Sequence, residues 1–230
     1  NVWCAAGKGT FGTDELVRRV RAARLDEIVA HRLLLLPILG ATGVAAHEVR
    51  LRCGFAVRYA TLRACDLAAF LDNGMTATPA MRELTFTAVE RMVLVPVELV
   101  AALKMSIPVV LLLLLAGGVR PVIAYCGAVL AGCVCTPVLL PWLPTRSFAL
   151  KGAFAGIVWA LAWYGATGEG WSVSATAAHF LLLPTVAAFL ALNFTGSTPF
   201  TSRTGVKKEM RLSTPVMACA LLTGVVLLIV

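Results

Sequence analysis

A chain of 230 residues that is 59% hydrophobic, with a mean hydropathy of +0.86, is too apolar for a wholly soluble globular protein, in which about half of the residues are apolar. Its charge is unevenly spread: residues 1 to 104 hold 13 of the 20 Lys and Arg and 10 of the 12 Asp and Glu, while the other 126 residues carry nine charges. The formal net charge of +8 lies on mixed-charge helices or beside apolar spans, without interleaved aromatics, which argues against a nucleic-acid surface and for orientation in a membrane.

The chain opens on Asn1-Val2-Trp3-Cys4-Ala5-Ala6-Gly7-Lys8-Gly9-Thr10-Phe11-Gly12. Val2 and Trp3 read as the end of a buried strand, the three glycines free the backbone to bend or to approach a bulky ligand, and Thr13 is placed to cap the next helix. In open α/β folds ligands bind at the carboxyl ends of the strands, so Cys4 presents a lone thiol to that crevice. A helix is predicted over Asp14 to Leu25, with acids first, arginines later, and Leu16, Val17 and Val20 on one face. Arg32 to Pro37 is a buried parallel strand ending in the turn from Gly40 to Gly43. Val44 to Cys53 is helical and stops at Gly54, Phe55 to Tyr59 is a short strand, and Ala64 to Asp72 is a helix with Leu67, Phe70 and Leu71 inward. This alternation argues a parallel, Rossmann-like α/β domain over residues 1–98, with a last strand or helix near Met92 to Val95. Because the domain starts at its key strand and shows no secretory signal, it is expected to be amino-terminally incomplete.

An all-α transmembrane domain is predicted over residues 99–230, with five spans at about 99–119, 121–143, 148–164, 173–192 and 214–230. The first is the shortest in its uncharged part, Met105 to Val119, so that Lys104 must reach back to the interface. Arg146, Lys151, Arg203, Lys207, Lys208 and Arg211 fall on connections of one side, whereas the other side holds only Arg120 and Glu169 with Trp163, Tyr164 and Trp171. By the positive-inside rule the amino-terminal domain is cytoplasmic and the carboxyl terminus is outside. The seven cysteines form no CxxC pair, in keeping with a reducing cytosol for the first domain.

Other signals have plainer explanations. Gly7-Lys8-Gly9-Thr10-Phe11-Gly12 fits the dinucleotide pattern GxGxxG, but Asp26 and Glu27 precede the next strand when a ribose-binding acid should end it. Cys126, Cys133 and Cys135 could relay a soft metal, yet small residues packing between helices explain them more simply. His31, His47 and His179 match no ligand spacing.

The run from Asn1 to Lys8 resembles, at every position, the signature of the mercury-methylating corrinoid proteins, the HgcA family. More distantly it is similar to the corrinoid domain of the corrinoid iron-sulfur protein of acetyl-CoA synthesis. The likeness continues through Leu36-Pro37, Gly43 to Val49, Pro96 to Leu99, and Asn193 to Gly196 on to Gly205 to Arg211; it departs at Ile38 and at Ala60-Thr61. The resemblance implies a corrinoid methyltransferase on the cytoplasmic membrane that passes a methyl group from a Co(III)-methyl corrinoid to Hg(II), giving methylmercury. It implies that Cys4 is the catalytic residue and the lower axial cobalt ligand, with its thiolate in the place of the usual His of an Asp-x-His-x-x-Gly motif. It further implies that Asn1, Val2, Trp3, Cys4, Ala5, Ala6, Gly7, Lys8, Gly9 and Thr10 bind cobalamin or a related corrinoid, and that the turns Pro37 to Val44 and Tyr59 to Arg63 complete the rim. The partners implied are the ferredoxin-like iron-sulfur protein HgcB as reductant, a folate-linked methyl donor system and the bilayer, with no nucleic acid. Two alternatives remain from other classes: a membrane-tethered dinucleotide-binding oxidoreductase, and a tether that binds a corrinoid without transforming it.

Overall fold

The computed structural model describes residues 5–6, 10–196, 198 and 201–229. They are largely helical, with five long apolar helices and one two-stranded parallel sheet, and they form two compact units, Asn1–Thr85 and Phe86–Val230.

In the first unit, helix α1 (Thr13–Ala22) carries Asp14 and Glu15 in its first turn and Arg19 and Arg21 in its last, as the macrodipole favours, and it buries Val17 and Val20. The cap expected at Thr13 is absent. Gly12, in extended backbone, takes the cap position, and the Thr13 hydroxyl accepts instead from the Ala45 N–H at 2.9 Å. The helix also ends earlier than its predicted limit at Leu25; Arg24 is left-handed (φ 47°) and a separate turn, α2 (Leu25–Ile28), follows.

Strands β1 (Leu33–Leu36) and β2 (Ala56–Tyr59) pair in parallel, with Leu33 opposite Ala56 and Leu36 opposite Tyr59. Between them runs α3 (Ala46–Cys53), ended by Gly54 at φ 76°, a conformation in which a Cβ would be strained. Val17, Leu36, Val44 and Val49 form the core, with Phe11, Leu34, Val57 and Tyr59 packed on it. The predicted helix over Ala64 to Asp72 is a 3₁₀ turn (Ala64–Asp66) running into α4 (Leu67–Asp72). A 3₁₀ turn uses 3.0 residues where an α turn uses 3.6, so the inward face rotates: Phe70 is buried, but Leu71, expected inward, is exposed. A one-turn helix, α5 (Pro79–Arg82), follows. The strand expected at Val2 and Trp3 lies outside the described residues.

The second unit begins with α6 (Ala88–Gly117), opened by a reciprocal capping box: the Thr87 hydroxyl accepts from Glu90 N–H at 3.4 Å and Glu90 accepts from Thr87 N–H at 2.7 Å. The strand or helix expected near Met92 to Val95 is part of this helix, and the boundary expected after residue 98 falls inside it. The next candidate span, Val119–Val138, is assembled from α7 (Val119–Leu130), a π turn (Ala131–Cys135) and α8 (Thr136–Val138). Helices α9 (Phe148–Thr167), α10 (Val173–Asn193) and α11 (Arg203–Ile229) complete the five. Each is long and apolar enough to cross a bilayer core of about 30 Å.

Small residues set the packing of this unit. A Cβ on Gly152 would lie 2.5 Å from Ala187 O, and one on Gly156 would lie 2.5 Å from Pro184 Cα, so α9 and α10 approach along a small-xxx-small seam. Several polar groups within the spans find partners, although Arg91 Nε is buried without one: Ser106 and Tyr125 hydroxyls are 2.8 Å apart, and Trp159 Nε1 donates to Ala124 O at 2.9 Å. Arg91 is buried, donating to Phe86 O at 2.6 Å and to Val138 O at 3.3 Å.

Candidate functional site

Three segments of the first unit converge at the carboxyl ends of the two strands. The first comprises the helical Ala5 and Ala6 and the turn Thr10 to Gly12, which close on one another: Phe11 N–H and the Thr10 hydroxyl both donate to Ala5 O at 3.1 Å. The second is the 3₁₀ turn after β1 (Ile38–Thr42) and Gly43. The third follows β2, where Ala60 N–H donates to Leu36 O at 2.8 Å and Thr61 O accepts from Ile38 N–H at 3.2 Å.

The loop docks against the turn because the turn lacks side chains where they meet. A Cβ at Gly43 would lie 2.6 Å from Phe11 O and 2.9 Å from Ala6 Cα, and one at Gly40 would lie 2.7 Å from the Phe11 ring. Two further bonds fasten the end of the loop: Thr13 N–H to Gly43 O at 3.2 Å, and Ala45 N–H to the Thr13 hydroxyl. From β2 the Tyr59 hydroxyl donates to Val44 O at 2.5 Å, and burial pushes its phenol above the ordinary value, so it stays a neutral donor.

On its outer side the loop borders a concavity of about 290 Å³ lined by Thr10, Phe11, Gly12, Glu15, Leu16 and Arg19. Arg19 and Arg18 bond Glu15 at 2.7–2.8 Å and hold its carboxyl below the ordinary value, which keeps an anion at the start of α1. Thr10 is exposed at the edge of this concavity.

Of the residues expected to bind the cofactor, Ala5, Ala6 and Thr10 are described, and Ala6 is buried beneath the turn. Asn1, Val2, Trp3, Cys4, Gly7, Lys8 and Gly9 lie outside the described residues. The two turns after the strands, Pro37 to Val44 and Tyr59 to Arg63, are joined by the bond from Ile38 N–H to Thr61 O. Sequence reasoning missed the part played by Phe11, Gly40, Gly43, Thr13 and Tyr59; two glycines three apart directly after a strand were the available signal.

Elsewhere, Asp26 and Glu27 lie in α2, before β1, and β1 ends in Leu36-Pro37 with no acid to meet a ribose. Cys126 and Cys133, seven residues apart, do not share a helix face: Cys133 is buried among Ala102 and Val129, while Cys126 and Cys135 are exposed. The π turn adds a residue between them and rotates the face. His179 bonds Ala175 O at 2.8 Å and stacks on Trp171 at 4.2 Å, an ordinary interfacial arrangement. Among the described residues no three His, Cys, Asp or Glu are grouped to hold a metal ion. No protein-family model, curated protein or solved structure matches the chain.

Proposed function

We propose that this chain is a membrane-anchored corrinoid methyltransferase that makes methylmercury from Hg(II). The observation that carries the reading is the junction of motif and fold. The run Asn1 to Lys8 leads into a loop that the structure fastens at the carboxyl ends of a parallel strand pair, the ligand position of Rossmann-like sheets. A concavity lined by Thr10, Phe11, Gly12, Glu15, Leu16 and Arg19 adjoins the end of the motif, and this space beside it supports the reading. When bound, the cobalt corrinoid supplies methyl-carrier chemistry.

The residues of the chain then have definite tasks. Cys4 would hold the cobalt through its thiolate, a strong soft donor, and coordination would keep it deprotonated. Ala5 and Ala6, with Gly7 and Gly9 next to them in sequence, bring little or no side chain to the motif, so a corrinoid held there would meet little bulk. Thr13, Gly43 and Tyr59 hold that loop in register with the strand ends. The five apolar helices anchor the chain in the cytoplasmic membrane, with the corrinoid domain on the cytoplasmic side, where HgcB as reductant and a folate-linked methyl donor have access to it.

The test uses the whole chain loaded with cobalamin. Cys4→Ala is expected to shift the visible absorption band of the bound corrinoid and to abolish methylmercury formation in the presence of the reductant. Cys4→His is expected to give a band distinct from both. An unshifted band in Cys4→Ala would sink the reading. The dinucleotide alternative requires protection of the chain by NAD, and the non-catalytic tether requires retained corrinoid with no product.

A further inference from the structure

The second unit contains a cleft of about 700 Å³ between α9, α10 and α11 that the proposed methyl chemistry leaves unused. Two contacts of α11 mark its extent along the helices. At one end Glu209 accepts from the Ser147 hydroxyl at 2.7 Å and from Ala149 N–H at 2.8 Å, capping α9. At the other end α11 presses on α10, where a Cβ on Gly224 would lie 2.7 Å from Leu182 Cγ. Fifteen residues of helix separate Glu209 from Gly224, roughly 22 Å at 1.5 Å per residue. That span exceeds the ~15 Å depth of one leaflet of a ~30 Å hydrocarbon core.

Between these contacts small side chains, including Ala153, Ala188 and Ala220, leave room, and the lining is mostly apolar, with Val216 and Met217 on α11 and the hydroxyls of Thr185 and Ser213. The mouth is different. Arg146 and Lys208 both line it, and among the described residues neither has a carboxylate partner. The nearby anion, Glu209, is already engaged by the start of α9. Two unpaired cations at the end of an apolar slot in a membrane helix bundle match one kind of molecule in both its parts: a phosphate headgroup at the mouth and an acyl chain along the slot. We infer that this cleft binds one anionic phospholipid, its phosphate held by Arg146 and Lys208 and a chain lying between α9 and α11.

The full-length chain in detergent is titrated with phosphatidylglycerol or phosphatidylcholine, and bound lipid is counted by native mass spectrometry. Phosphatidylglycerol should bind in a one-to-one adduct and in preference to phosphatidylcholine. The double variant Arg146→Gln/Lys208→Gln should weaken phosphatidylglycerol about thirtyfold, to the level of phosphatidylcholine. Lys207→Gln/Arg211→Gln, which alters cations of the same helix that do not line the cleft, should leave the preference unchanged. Ala220→Trp should reduce both lipids while helicity is retained. Equal binding of the two lipids, or an equal loss in the two double variants, would overturn the inference. So would displacement of the lipid by inorganic phosphate, which would indicate a bare anion site, or a dimer in place of the lipid adduct, which would indicate a second copy as the occupant. None of these readouts depends on corrinoid.

Discussion

Gly43 shows how one missing methyl group shapes the candidate site. Its φ of −120° is open to any residue, so its requirement is for space: a Cβ would meet Phe11 O at 2.6 Å, and backbone oxygen cannot swing aside as a side chain can. Gly43→Val should therefore expel the Ala5–Gly12 loop at a cost of about 1–3 kcal/mol. The expected readout is faster amide exchange at Phe11 and Thr13 with α3 unaffected; unchanged exchange would show that the loop is held otherwise. Tyr59 is legible in another way, through pH. Its folded pKa is raised above the ordinary 10.0 by burial, so the neutral phenol contributes stability that is complete below pH 10 and is lost as pH rises through the folded value. Tyr59→Phe should cost about 1 kcal/mol near neutrality through the lost bond to Val44 O, and should flatten the alkaline limb of the stability curve. A limb unchanged in the variant would place that titration elsewhere.

The elements of the first unit were read closely because their punctuation is local. Four leucines in a row ending at a proline, and a glycine that ends α3 in the left-handed region, mark β1 and α3 without reference to anything distant. The Thr13 cap was misread for the opposite reason: its hydroxyl is engaged by Ala45, thirty-two residues away, which local rules cannot see. Helix α6 was obscured by Pro96, Pro108 and the charges between Glu90 and Lys104, which interrupt the apolar run, although Thr87 and Glu90 carry the spacing of a capping box. Thr87→Ala should cost about 1 kcal/mol and fray the first turn, measurable as loss of protection at Glu90. The α9–α10 seam is more demanding. Gly156→Leu places a branched side chain where Pro184 Cα stands 2.5 Å from the Cβ position, and it should lower the thermal midpoint in detergent far more than Leu161→Ala, an exposed position on the same helix. Equal midpoints would deny the seam its role.

For the molecule as a whole, five helices able to span a bilayer make it a membrane protein by length and composition, and the distribution of Lys and Arg predicts its sidedness. Glu169→Cys should react with an impermeant maleimide in intact cells, and Thr204→Cys only after permeabilisation; the reverse pattern would invert the topology. The candidate site was legible at this scale as a position, at the strand ends, but not as a surface, because its shape depends on two glycines and a tyrosine brought together by the parallel pairing. The five spans also differ in how much of each is enclosed: 44%, 33% and 39% for Val119–Val138, Phe148–Thr167 and Val173–Gly196, against 11% and 6% for Ala88–Gly117 and Thr204–Ile229. An inner trio is thus flanked by two helices whose surfaces are mostly exposed. For those two, the identity of an apolar side chain matters little as long as it is oily, so they are free to drift over evolutionary time, whereas the glycines and alanines of the trio are held in place by their neighbours' backbones.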